Sequence, residues 1–262
     1  MKRTPVTVTA ADYPAGLHPY LDRAVTYDSS CSPEARVIYL EKDGGYYLKT
    51  APLGTLCREA EMTRYFFGKG LGAEVLEYIS DGVRDYLLTA RVRGEDCTHE
   101  VYLSEPKRLA ALLGERLRML HDTDFSGCPV MRRMDHYFET AAENYKKGEW
   151  DLSYLPKRLC GMTADEAFAC VETHKNLLKN DTLLHGDYCL PNVMLEDWRF
   201  SGFIDLGNGG VGDRHVDLFW GAWTLKFNLK TEKYRERFFD AYGRDGFEPD
   251  LLDVIGAAEV FG

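Results

Sequence analysis

The sequence predicts an α+β chain with a small, β-rich N-terminal lobe (residues 1–91) and a larger, mainly helical C-terminal lobe (residues 92–262). Short β-prone runs bounded by turn residues fill the stretch from Ala24 to Ala90. From Ser104 onward the apolar residues recur at helical spacing instead. At 262 residues, with 45% hydrophobic and 28% charged side chains, the chain can bury a large core and is composed like a globular protein.

In the first lobe, Ala24–Asp28, Arg36–Glu41 and Gly45–Thr50 read as strands, and Lys42-Asp43-Gly44-Gly45 is a hairpin turn. A helix is expected from Leu53 to Gly68. Glu59 shares its inward face with Leu56, Met62 and Phe66, whereas Glu61 lies with Arg64 and Tyr65. Glu74–Ser80 and Arg84–Ala90 complete the strands, joined by a turn at Ser80-Asp81-Gly82, and Arg91-Val92-Arg93-Gly94 is a linker.

In the second lobe, Ser104 and Pro106 open a helix whose stripe of Leu109, Leu112, Leu113, Leu117 and Leu120 is core. Arg132–Lys147 forms another helix. Thr163-x-x-Glu166 is a capping box opening a helix through Leu178. Gly148–Gly161 is irregular. Then come two short β-prone runs, Val193–Leu195 and Phe200–Leu206, separated by Glu196–Arg199. With a turn centred on Trp198-Arg199, Asn192 would stand opposite Asp205 across the ladder. Beyond Gly207 a glycine-rich loop leads to Asp217 and an aromatic helix, Leu218–Leu225. Trp220 and Trp223, at i,i+3 spacing, read as packed core before they read as a cage for a quaternary ammonium.

The chemistry lies in Leu183–Gly207. His185-Gly186-Asp187 is followed by Asn192 and then by Asp205-Leu206-Gly207 at the end of the next strand. A carboxylate and an amide at the open end of a hairpin suit an octahedral Mg²⁺ that also binds phosphate oxygens. Asp187 would stand in front of that metal. This order of residues is that of the catalytic and metal loops of kinase-type phosphotransferases, with His-Gly-Asp pointing to small-molecule acceptors. On its strand Lys49 shares a face with Tyr47, so Lys49 would reach nucleotide phosphates while Tyr47 faces a purine. Glu59 is the carboxylate expected to hold Lys49. Ser30 and Ser32 lie where a phosphate-covering loop would stand, and the backbone of Ala90 and Val92 would meet an adenine edge.

Taken together, the chain resembles the aminoglycoside phosphotransferases, nearest to the 3′-phosphotransferase group, from about Ala24 to Phe261. The resemblance is carried by Tyr47-Leu48-Lys49, Arg58-Glu59, Leu120-His121-Asp122-Thr123-Asp124, His185-Gly186-Asp187, Ser201–Gly207 and the ending Glu259-Val260-Phe261. It implies a protein-kinase-like two-lobed fold, with ATP or GTP and Mg²⁺ as cofactors. By that resemblance Asp187 is the catalytic base, Asn192 and Asp205 are the metal ligands, and Lys49 with Glu59 positions the phosphates. Tyr47 stacks on adenine above a floor of Met194 and Ile204. C-terminal acidic groups bind substrate amines, which assigns Glu259, with Phe261 beside it, to the acceptor site. Two departures touch that site: Ala258 replaces a usual acidic residue, and Gly262 follows the terminal Phe.

Charge agrees with a cationic partner. Residues 1–91 carry 11 basic and 12 acidic side chains, whereas residues 92–262 carry 21 and 30. The acidic second lobe disfavours nucleic acid and favours cations. The stretch Met1–Ala11 has no apolar segment of signal-peptide type, and no run approaches membrane-spanning length. The seven scattered cysteines lack a Cys-x-x-Cys pair and read as reduced thiols of a cytoplasmic protein. The same parts would serve a kinase for choline, a macrolide or a sugar. A nucleotide-binding pseudokinase is disfavoured, because Lys49, Asp187, Asn192 and Asp205 are all present.

Overall fold

The computed structural model describes residues 3–262. In chain order the first elements are β1 (Thr4–Pro5), α1 (His18–Leu21), β2 (Val25–Asp28), β3 (Arg36–Glu41), β4 (Tyr46–Pro52), α2 (Cys57–Gly68), β5 (Val75–Ser80), β6 (Arg84–Ala90), β7 (Glu95–Asp96) and α3 (Glu100–Leu103). There follow α4 (Pro106–His121), α5 (Arg133–Lys147), α6 (Ala164–His174), β8 (Thr182–Leu184), β9 (Val193–Glu196), β10 (Arg199–Phe203), β11 (Gly210–Gly212), α7 (His215–Leu229), α8 (Arg235–Tyr242) and α9 (Pro249–Glu259). Among the described residues no helix is long and apolar enough to cross a membrane.

Two compact units emerge: residues 1–102 with 191–208, and residues 103–190 with 209–262. The hairpin β9–β10 thus packs with the N-terminal strands, although it lies far beyond the division expected after Arg91. Several contacts hold it there. β9 pairs with β7, Gly72 bridges Phe203, and the Phe203 N–H donates to the Leu71 carbonyl at 2.7 Å. Gly94 comes so close that a Cβ would lie 2.0 Å from the Leu195 carbonyl oxygen, so only glycine fits.

In the first unit, β1-β2-β3-β4-β6-β5 form one antiparallel sheet. One face buries Ile38, Leu40, Leu48 and Leu88 with Leu17, Leu21 and Tyr86. The turn at Lys42–Gly45 closes as expected, with Asp43 and Gly44 at positive φ and the Gly45 N–H bonded to the Lys42 carbonyl. Helix α2 starts at Cys57, four residues later than expected, because Gly54 at φ +83° and the turn from Pro52 to Thr55 occupy the interval.

The β9–β10 turn is centred on Asp197-Trp198, both at positive φ, and not on Trp198-Arg199. Both residues adopt the left-handed conformation that a two-residue hairpin turn requires. For Trp198 this strain is offset by its ring, which packs edge-on against Tyr102 at 5.0 Å. The register shifts again at the bulge between Phe200 and Gly202, so the ladder closes at Phe203–Val193. Ile204, not Asp205, therefore lies level with Asn192, and its N–H donates to the Asn192 carbonyl at 3.1 Å.

The second unit is built on α4, whose Leu109, Leu113, Leu117 and Leu120 are fully buried. The expected capping box opens α6: the Glu166 N–H donates to Thr163 Oγ1 and the Thr163 N–H to Glu166 Oε2. That helix ends at His174 and continues as a short 3-10 turn through Leu177. The small ladder β8–β11 carries the chain into the His185–Asp187 loop.

Helices α4 and α8 meet at Gly114, where a Cβ would lie 2.3 Å from the Phe238 carbonyl oxygen. Backbone cannot yield there as a side-chain tip can. Gly114→Ala is expected to destabilise the protein by about 1–3 kcal/mol, the usual range for overpacking, seen as a lower denaturation midpoint at unchanged slope.

Candidate active site

A cavity of about 260 Å³ lies wholly within the first unit. Val37, Leu87, Ala90, Val92, Met194 and Ile204 give it apolar walls; Lys49, Glu59, Asn192 and Asp205 gather in it, and Tyr47 and Ser32 also line it. Met194 and Val92 pack together with Ala73, and Ile204 against them, so the expected floor residues form one cluster. Ser30 stands apart. Its hydroxyl accepts the Val37 N–H at 2.9 Å and its own N–H donates to Asp28, so it ties the loop together while Ser29, Cys31 and Ser32 line the cavity. Ser29, Val37, Leu87 and Thr89 escaped the sequence reading, because apolar or hydroxyl lining residues carry no motif.

Lys49 and Tyr47 share the cavity face of β4, and α2 brings Glu59 up to meet the lysine. The Lys49 ammonium donates to Glu59 Oε2 at 2.7 Å and to Asp205 Oδ1 at 2.9 Å. Burial opposes the Lys49 charge, but Asp205 and Glu59 together outweigh it and raise the ammonium above its ordinary value. The Glu59 carboxyl is pushed up by burial, with the Lys49 charge opposing and the Asp205 charge adding. Glu61, on the other face of α2, is exposed.

Asp205 reaches this position from a left-handed backbone conformation, φ +59°, just past the end of β10. Asn192 closes the 3-10 turn before β9. Among the described residues no three His, Cys, Asp or Glu side chains converge. A Mg²⁺ that uses phosphate oxygens and water for most of its shell needs only one or two protein oxygens. The Asp205 carboxylate, about half exposed at 52%, and the Asn192 amide supply hard oxygen donors of that kind, and both line the cavity.

Asp187 belongs to the second unit, on the loop after β8. Gly186 before it has φ +83°, which explains glycine at that place in the tripeptide. The fully buried Asp217 braces this loop: its carboxylate accepts the His185 N–H at 2.7 Å and the Gly186 N–H at 2.8 Å. It also faces His121 Nε2 at 3.2 Å, and His121 Nδ1 lies 2.8 Å from the Tyr242 hydroxyl. Burial lowers the His121 pKa despite Asp217, so the ring is neutral. A carboxylate only accepts; hence Nε2 carries the hydrogen and Nδ1 accepts from Tyr242.

Glu259 is 5% exposed, and its Oε1 accepts from the Tyr137 hydroxyl at 2.8 Å and Trp220 Nε1 at 2.9 Å. Burial pushes its carboxyl up to about 7; the two hydrogen bonds and Arg133 oppose this and the Asp187 charge adds to it. Phe261 is buried edge-on to the rings of Tyr145 and Phe168, and its carbonyl accepts from Asn144 at 2.7 Å. In this structure Phe261 is a packing residue. Trp220 and Trp223, both half-buried, meet edge-to-face at 5.3 Å, and Trp223 stacks on the exposed Phe227 ring at 4.9 Å, so they pack on one another without being enclosed in the core that their spacing predicts.

The phosphotransferase enzyme family matches this chain over residues 33–253. The chain is 50% identical, over 95% of both chains, to a probable aminoglycoside 3′-phosphotransferase of Lactococcus lactis. It is 30% identical, over 79% of both, to an aminoglycoside 3′-phosphotransferase of Niallia circulans. A solved aminoglycoside-3′-phosphotransferase of type VIII is similar with a TM-score of 0.78, at 25% identity over 96% of each chain. An aminoglycoside phosphotransferase of Streptomyces rimosus, solved with ADP and streptomycin, shares the fold with a TM-score of 0.71 at 21% identity, over 86% of this chain and 90% of that one.

The buried Glu259 has a measurable signature. Between the ordinary value near 4.5 and about 7, the folded protein holds a proton there that the unfolded chain has lost. Its contribution to stability therefore falls as pH rises through that window. A glutamine keeps the acceptor oxygen without the charge. Relative to the parent, Glu259→Gln is expected to gain on the order of 1–3 kcal/mol between pH 5 and pH 8. Denaturant melts of both proteins at the two pH values check this; a constant difference would contradict it.

Proposed function

Because the chain belongs to the phosphotransferase enzyme family, we propose that it is a Mg²⁺-dependent aminoglycoside 3′-phosphotransferase, acting in the cytoplasm and conferring resistance to its substrate. The observation that carries this reading is the Lys49 ammonium held between Glu59 and Asp205 beside Asn192, in an apolar-walled cavity. The names of its relatives, matched over nearly full length, support the acceptor.

The nucleotide, ATP or GTP, would lie in the first unit with its base against Tyr47 and above Met194 and Ile204. Lys49 neutralises phosphate charge, and Glu59 keeps the lysine where that charge is needed. Asn192 and Asp205 would hold Mg²⁺, which supplies further neutralisation of the transferring oxygens when bound. The acceptor oxygen forms a bond to the γ-phosphorus as the bond to the β–γ bridging oxygen breaks, and ADP or GDP leaves. Asp187 orients the acceptor hydroxyl and takes its proton. Since Asp217 holds the two preceding N–H groups, little reorganisation of the loop is required during the step.

The acceptor's ammonium groups suit the acidic second half of the chain. An ammonium near Glu259 would favour its ionised form and reverse the effect of burial and of Asp187. Ion pairs at a wet surface are individually weak, roughly 0.2–1 kcal/mol, so several must act together.

Asp187→Ala is expected to cut turnover by at least ~10²-fold, about 2.7 kcal/mol of transition-state stabilisation, with the nucleotide Kd unchanged. Product release from ATP and GTP, measured across a panel of aminoglycosides, choline and macrolides, tests the substrate class. Turnover of choline or a macrolide, with none of any 3′-hydroxyl-bearing aminoglycoside, would overturn the acceptor and leave the kinase.

A further inference from the structure

We propose that Arg3 is a positioning residue for the nucleotide base, and that the segment leading into β1 is thereby part of the nucleotide site; this rests on the reading of Tyr47 as the ring that stacks on the base. The register of the sheet places Pro5, Tyr27, Tyr39, Tyr47 and Thr89 in one row across β1, β2, β3, β4 and β6. Residues directly opposite in a sheet point to the same face, so the three tyrosines form a ladder. Their ring centroids are 6.1 Å apart between Tyr27 and Tyr39, and 5.1 Å between Tyr39 and Tyr47.

Arg3 stands two residues before Pro5 and lies over this ladder. Its guanidinium sits 3.6 Å from the Tyr39 ring centroid, and Nη2 donates to the Tyr47 hydroxyl at 2.8 Å. Its Nε is buried and finds no hydrogen-bond partner among the described residues. Such a donor is costly to leave unpaired, and the planar stack on Tyr39 accounts for its place there. Gly45 keeps the row open: a Cβ there would come within 2.7 Å of the Tyr39 hydroxyl.

Tyr47 is thus held at two points, by the Tyr39 ring beside it and by Arg3 at its hydroxyl, while the ring lines the cavity. A ring left loose would have to be ordered each time a base bound, at a cost in affinity. Arg3 removes that cost before the nucleotide arrives. Lys49, Asn192 and Asp205 handle the phosphates, so the effect of Arg3 falls on nucleotide binding and not on the chemical step.

The test is calorimetric titration of ADP and GDP, with steady-state kinetics, on the full chain and on Arg3→Ala, Arg3→Lys, Tyr47→Phe and the Arg3→Ala/Tyr47→Phe double variant. Arg3→Ala and Tyr47→Phe should each weaken nucleotide binding and raise its KM by about 3- to 10-fold, with kcat within about twofold. The double variant should be no weaker than the worse single one, since both remove the same bond. Lysine at position 3 should recover part of the loss, as it donates but does not stack as a plane. Unchanged nucleotide affinity in Tyr47→Phe, fully additive losses, or a fall in kcat alone would overturn the proposal. A lowered melting temperature of Arg3→Ala with unchanged KM would do so too. Parent protein that binds neither ADP nor GDP would overturn the nucleotide reading itself, a result distinct from any of these.

Discussion

The Lys49 ammonium, shared by Glu59 and Asp205, ties together three segments of the first unit that are distant in the chain. The lysine comes from β4, the glutamate from α2 and the aspartate from the end of the hairpin β9–β10. The lysine and the glutamate are the buried members of the cluster, while Asp205 is about half exposed. The Lys49 and Glu59 side chains are 21% and 11% exposed, so each needs the other to offset its lost hydration. Removing one partner of such a buried pair typically costs ~3–5 kcal/mol, because the other is left uncompensated. The cluster therefore couples the folding of the first unit to the assembly of its cavity.

The second unit uses a different device for a similar end. Asp217 has both carboxylate oxygens committed to the loop before Asp187, and the neutral His121 and Tyr242 continue the network into α4 and α8. A carboxylate with 0% exposure is affordable only when its lone pairs are filled by donors, and here they are. The loop that carries Asp187 is thereby attached to the main helical packing. Glu259 is the contrasting case. It too is buried, but its hydrogen bonds from Tyr137 and Trp220 reach the same oxygen, Oε1, and burial raises its carboxyl to about 7. Burial thus dominates at Glu259, while the charge of Lys49 is held by two neighbouring carboxylates.

Much of this protein could be read from its residues alone, wherever the information is local. The strands Arg36–Glu41 and Arg84–Ala90, the turn at Lys42–Gly45 and the capping box at Thr163 follow from alternation, glycine content and side-chain-to-backbone bonding within a few residues. Helical periodicity separates Glu59 from Glu61, because it fixes which face of α2 turns inward. The spacing of Asp187, Asn192 and Asp205 pointed to phosphoryl transfer because those residue types serve few other purposes in that order. Tertiary structure decided what depends on residues distant in sequence. The hairpin's turn falls at Asp197-Trp198, where Tyr102 packs against Trp198, and the hairpin joins the N-terminal strands through β7 and Leu71. Ser30 turned to its own loop, Phe261 into an aromatic core, and Glu259 onto Tyr137 and Trp220. Burial and partnership set what each of those groups does, and neither is encoded within a short stretch of chain.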